Sequence, residues 1–130
     1  MLRLTRPLLQ ATKLSTGIVG LKVHPNPLPE LTKVYEDTLT LLAKLPDYSV
    51  YRQGTEALTR HKLSVVQKAN GDIAEVEKGL DEGQIEESLM IANDEFELVD
   101  KMAEWKAWEP LEEKPEPGQW EYFGKQSNAV

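Results

Sequence analysis

The chain has 130 residues, room for one ordinary domain, and carries 15 Lys+Arg against 22 Asp+Glu for a net charge of −7. With no cysteine, disulfides, thiolate metal sites and thiol catalysis are excluded. No apolar run approaches the roughly 20 residues of a membrane-spanning helix. The charge is unevenly placed: residues 1–69 hold ten basic and five acidic side chains, residues 70–130 five basic and seventeen acidic. Phosphate binding needs a clustered basic surface, so this polarity argues against a nucleic-acid partner.

The first acidic residue is Glu30, preceded by Arg3, Arg6, Lys13 and Lys22 with Ser15, Thr5, Thr12 and Thr16 among them. Together with Leu2, Leu4, Leu8, Leu9 and Leu14 this basic, hydroxylated start resembles a mitochondrial targeting segment. The other reading is a basic terminus without an address. A secretory signal does not fit, because Gln10, Thr12 and Lys13 interrupt the apolar stretch. Next, Gly17 and Gly20 flank the apolar pair Ile18-Val19. They allow close backbone approach to a partner, or they mark a turn. No Gly-Lys-Ser/Thr follows, so a nucleotide cradle is not indicated.

Pro25, Pro27 and Pro29 lead into a first helix expected over about 28–45, with Leu31, Val34, Tyr35, Leu41, Leu42 and Leu45 at helical spacing. Thr38 fills the gap in that stripe, and Pro46 ends it. A second helix is expected from Asp47 or Ser49 to Ala69, with Tyr51, Leu58, Val65 and Val66 on one face and Asn70-Gly71 as its stop. Asp72 can cap a short third segment carrying Ile73, Val76 and Leu80. The longest helix is expected over about 84–105, its core stripe being Ile85, Leu89, Ala92, Phe96, Val99 and Met102 or Ala103. Glu86, Glu87, Asp94, Glu97, Asp100 and Lys101 fall on the opposite, outer face. Strand signals are scarce. The fold class is all-α: a small three-helix bundle (28–106) with a short extra helix, an extended N-terminal segment (1–27) and an extended aromatic C-terminal strap (107–130).

Beyond Trp105 the prolines Pro110, Pro115 and Pro117 with Gly118 forbid a continuing helix. All three tryptophans, Trp105, Trp108 and Trp120, lie here, with Tyr122 and Phe123 just behind. Such anchors must either clasp their own bundle or lie on another protein, where Trp and Tyr dominate binding energy.

Chemistry is harder to find. His24 and His61 have no partner at metal-ligand spacing, and Ser88 has no histidine near it in sequence. Glu86–Glu87, Asp94–Glu95 and Glu112–Glu113 are adjacent pairs, and neighbours on a helix point in different directions. They read as solvated faces, and Asp81-Glu82-Gly83 lacks the alternating ligands of a calcium loop.

Several stretches, in this order, do carry a resemblance: Thr16-Gly17-Ile18-Val19-Gly20-Leu21, Tyr51-Arg52-Gln53-Gly54-Thr55-Glu56, Gly83-Gln84-Ile85-Glu86-Glu87, Glu104-Trp105-Lys106-Ala107-Trp108-Glu109-Pro110-Leu111 and Gln119-Trp120. The chain resembles the alpha-subcomplex subunit five family, small accessory subunits of mitochondrial respiratory complex I. The Trp-x-x-Trp-Glu-Pro-Leu block is the most specific element; relatives often have proline where Ala107 stands. The resemblance implies a helical, non-catalytic subunit without catalytic, metal or cofactor-binding residues and without a small-molecule substrate. It would lie on the matrix side of the inner membrane, peripheral and without a span. There it would dock onto core and accessory subunits of the peripheral arm near the quinone-reducing module and support assembly and stability. The interface expected on this reading comprises Trp105, Trp108, Glu109, Pro110, Leu111, Trp120, Tyr122 and Phe123, with Gly17 and Gly20. Charged helical faces would set its register, and the aromatic strap would supply the anchors. The alternatives are a free matrix assembly chaperone and, with no constellation to support it, a small enzyme.

Overall fold

Proline, which has no N–H to lose, starts the first helix: Pro27 and Pro29 occupy the first turn of α1 (Pro27–Leu42). The computed structural model describes residues 13–114, which form four helices and no strand. α2 (Val50–Lys68) opens on Ser49, whose side-chain oxygen accepts from the Arg52 N–H. Asn70 and Gly71 stop it, both in left-handed conformations at φ 49° and 93°. Asp72 caps α3 (Ile73–Leu80) by accepting from the Ala74 N–H at 2.9 Å. α4 (Ile85–Trp105) begins where the Glu87 carboxylate reaches back to accept the Gln84 N–H at 2.8 Å.

The core divides into two clusters. Leu31, Val34 and Tyr35 of α1 meet Val66 of α2, Val76 of α3 and Ile85, Leu89 and Ala92 of α4. At the other end Leu42 and Leu45 meet Val99, with Tyr51, Met102 and Trp108 packed against them. The starts of α1 and α4 therefore lie side by side and both run the same way, while α2 runs opposite. α1 is the central helix, packed against both α2 and α4, and α3 links the end of α2 to the start of α4. Thr38 holds the core position expected of it, its hydroxyl satisfied by donating to the Val34 carbonyl at 2.7 Å.

Three expectations change. α1 ends at Leu42 rather than Leu45, and a turn through Ala43 and Lys44 still delivers Leu45 to the core. Pro46 disfavours helical geometry in the residue before it, so the ending comes early. In α2 Val66 of the expected face is buried and Tyr51 and Val65 are half-buried, but Leu58 is exposed and its neighbour Thr59 takes the core position. Val65 instead meets α3 closely: a Cβ on Gly79 would lie 2.6 Å from Val65 Cγ1. Finally, Glu86 is buried rather than on an outer face, for a reason seen at the N-terminal turn.

Candidate partner interface

Thr16 organises the glycine-bearing turn. Its buried hydroxyl donates to the Leu21 carbonyl at 2.7 Å and accepts from the Ile18 N–H at 3.2 Å. Gly17 (φ 74°) and Gly20 (φ 86°) take the left-handed conformations that close the turn, and a Cβ added at either would touch nothing within 4 Å. Within the chain the two glycines serve backbone conformation rather than close packing. Their turn leaves Ile18 and Val19 exposed at its tip.

This turn is fastened to the start of α4. Gln84 Nε2 donates to the Thr16 carbonyl at 2.8 Å. Lys13 Nζ reaches Glu86 Oε2 at 3.1 Å and Glu77 Oε1 at 3.2 Å, and Glu77 Oε1 also accepts the Ile85 N–H at 2.9 Å. Glu86, only 4 % exposed, thus has its counterion. Partial burial acts to lower the Lys13 pKa, but the bonds to Glu86 and Glu77 and their charges outweigh it and hold the ammonium above the ordinary lysine value. Helical periodicity gave no sign of this cluster, because its cation lies 73 residues away from Glu86 in an irregular segment.

At the opposite end, about 30 Å away at 1.5 Å per residue along α4, stands the aromatic block. Trp105 is the last residue of the helix and is 62 % exposed. Lys106 then turns left-handed at φ 50°, and the Glu109 N–H donates to its carbonyl at 2.8 Å. This reversal brings Trp108 back against the Leu42–Leu45–Val99 cluster, half-buried. The two tryptophans of one motif therefore face different ways: Trp108 clasps its own bundle and Trp105 faces solvent. Glu109, Pro110 and Leu111 are exposed beyond them. Trp120, Tyr122 and Phe123 lie outside the described residues. The structure thus separates the expected interface residues into two groups, with Gly17 and Gly20 near the start of α4 and Trp105 to Leu111 past its end.

A further apolar surface escaped the sequence reading. Ile91 (40 % exposed) and Leu98 (36 %) fall on the outside of α4 in line with Trp105. Their seven-residue spacing was the available signal. Beside this row a depression of about 130 Å³ lies between α2 and α4, floored by Tyr35, Thr38 and Ala92 and walled by Leu58 and Ile91. Tyr51 Oη, donating to Glu95 Oε1 at 2.5 Å, crosses from α2 to α4, and Lys62 pairs with Glu82.

Three of the paired acidic residues serve structure, while Asp94, Glu112 and Glu113 are exposed. Glu86 pairs with Lys13, Glu87 caps α4, and Glu95 binds Tyr51. His61 is exposed and Ser88 is buried with no hydrogen-bond partner. Among the described residues no group of three or more His, Asp or Glu side chains could hold a metal ion.

A family model described as "ETC complex I subunit conserved region" matches residues 20–87. A Candida albicans protein named NADH dehydrogenase (ubiquinone) 1 alpha subcomplex subunit MCI4 is 45 % identical over 111 residues, covering 85 % of this chain and 79 % of its own. The Bos taurus NADH dehydrogenase (ubiquinone) 1 alpha subcomplex subunit 5 is 43 % identical over 110 residues, covering 85 % of this chain and 94 % of its own. An Arabidopsis thaliana protein, named as a probable mitochondrial subunit 5 of the same subcomplex, is 43 % identical over 103 residues, covering 79 % and 60 %.

Proposed function

Because the chain belongs to the family of complex I alpha subcomplex subunit 5, we propose that it is an accessory subunit of the peripheral, matrix-facing arm of that complex. Membership makes it a structural subunit of an oxidoreductase assembly rather than an enzyme in its own right. On this reading it sits near the quinone-reducing module on the matrix side of the mitochondrial inner membrane. It contacts core and accessory subunits there, binds no cofactor or small-molecule substrate of its own, and supports assembly and stability. No described helix is long and apolar enough to cross a membrane, and the attachment proposed is through neighbouring subunits.

The observation that supports docking most directly is Trp105, a tryptophan left in solvent at the end of the longest helix. Fully burying such a side chain on a partner is worth about 2–3 kcal/mol, and exposed aromatic anchors of this kind characterise interface centres. Leu111, also exposed, extends the patch.

Native gel electrophoresis of mild-detergent extracts tests the reading. A subunit runs wholly with the megadalton assembly. Appearance of a substantial fraction in smaller intermediates, or free, would identify a visiting chaperone instead.

A further inference from the structure

Among the described residues Glu86 is the only charged side chain that the fold buries, at 4 % exposure. A carboxylate taken out of water needs a counterion held in place, and removing that partner leaves the charge uncompensated. Among the described residues the ion pair of Glu86 is with Lys13, at 3.1 Å. The same ammonium holds Glu77 Oε1 at 3.2 Å, the atom that accepts the Ile85 N–H opening α4. One cation from the N-terminal segment therefore joins α3 to the start of α4. The residues that follow it belong to the fold as well. Thr16 is buried and its carbonyl is tied to Gln84, while Leu21, Val23 and His24 are half-buried. Leu21 and His24 border the same surface groove as Leu89 and Asn93 of α4.

We propose that Lys13 is the first residue the folded domain cannot lose, so that proteolytic removal of the basic, targeting-like start ends on its N-terminal side. Charge alone sets no such limit. The chain has no acidic residue before Glu30, and the targeting-like and extended segment expected from the sequence runs to residue 27. The limit comes from the product of the cut rather than from access to it. A chain shortened past Lys13 has to fold around a carboxylate that has lost its cation, and a buried, unpaired charge is strongly destabilising. Arg3 and Arg6 lie upstream of the limit and supply targeting charge that is discarded with the leader. Lys13 is then the residue at which the import signal ends and the structure begins. The inference rests on the mitochondrial reading for a leader to be removed, and it deepens that reading by locating the leader's end.

The test has two arms. In mitochondria, the N-terminus of the full-length chain recovered from its assembly is read by mass spectrometry. The first residue is expected at or before Lys13, and a start at Leu14 or beyond overturns the proposal. With the purified full-length chain, Lys13→Met should lower the melting temperature at pH 7 by about 5 °C, and Lys13→Arg, which keeps the cation, should stay within about 2 °C of wild type. In a Glu86→Gln background the loss from Lys13→Met should shrink to about 1 °C, because no buried charge is then left unpaired. A Lys13→Met chain that melts like wild type overturns the proposal, as does an equal loss in both backgrounds. Should Lys13→Met fail to fold, recovery of folding by the added Glu86→Gln change supports the proposal and its failure to recover overturns it. Failure of the mitochondrial reading is distinguishable: the chain would then be absent from mitochondria, while the melting arm still decides whether the fold requires Lys13.

Discussion

Two tyrosines and one lysine tie the stability of this chain to alkaline pH. Burial raises the Tyr35 phenol, and the Glu82 charge raises it further. Burial likewise raises Tyr51, with its hydrogen bond to Glu95 adding to the effect against a smaller opposing contribution from Thr55. Lys13 is also raised. All three groups hold their protons longer when folded than when unfolded, so the native state binds more protons at high pH and stability falls as pH increases. The stabilisation is fully present below the unfolded values, near 10 for tyrosine and 10.5 for lysine. It is lost as the pH climbs through the higher folded values. Denaturant titrations from pH 7 to pH 11 should show stability declining beyond about pH 9.5. The Tyr35→Phe/Tyr51→Phe double variant should flatten that decline; an equally steep fall in the double variant would remove the tyrosines from the explanation. Because Tyr35 Oη has no hydrogen-bond partner, the Tyr35→Phe change alone should cost nothing measurable at pH 7.

At the scale of the elements, the end of α4 separates packing from docking. Trp108→Ala should destabilise the bundle by about 1–2 kcal/mol, since it removes part of the apolar cover over Leu42, Leu45 and Val99. Trp105→Ala should leave stability within about 0.5 kcal/mol, because that side chain is mostly in solvent. Chemical denaturation of the two variants checks the pair, and equal losses would contradict the division. Much of this level is legible in the sequence: Ser49, Asp72 and the Asn70-Gly71 stop mark helix ends through local hydrogen bonding and local backbone conformation. The burial of Thr59 in place of Leu58 is not, since the two are adjacent and only the tertiary contacts decide which is buried. The opposite fates of Trp105 and Trp108 depend likewise on one left-handed residue, Lys106, whose composition gives no hint of a reversal.

For the whole molecule, the charge polarity takes on a structural meaning at both ends of α4. The basic head contributes Lys13 to an ion cluster around the buried Glu86 that fastens the N-terminal turn, while the acidic second half leaves Asp94 exposed beside an apolar row. The motif residues resembling the family were readable because they are contiguous. The Lys13–Glu86 pair and the α2–α4 depression were not, because they join segments distant in sequence. A chain in which Glu86, Glu87 and Glu95 neutralise, cap and tether, and which leaves Ile91, Leu98, Trp105 and Leu111 in solvent, fits a part held within an assembly. The most direct measurement is removal of this chain from mitochondria, followed by quantifying assembled complex I and the NADH:ubiquinone turnover of each assembled complex. An accessory role predicts that the amount assembled falls while turnover per remaining complex stays near its normal value. Full assembly with lost turnover per complex would contradict it.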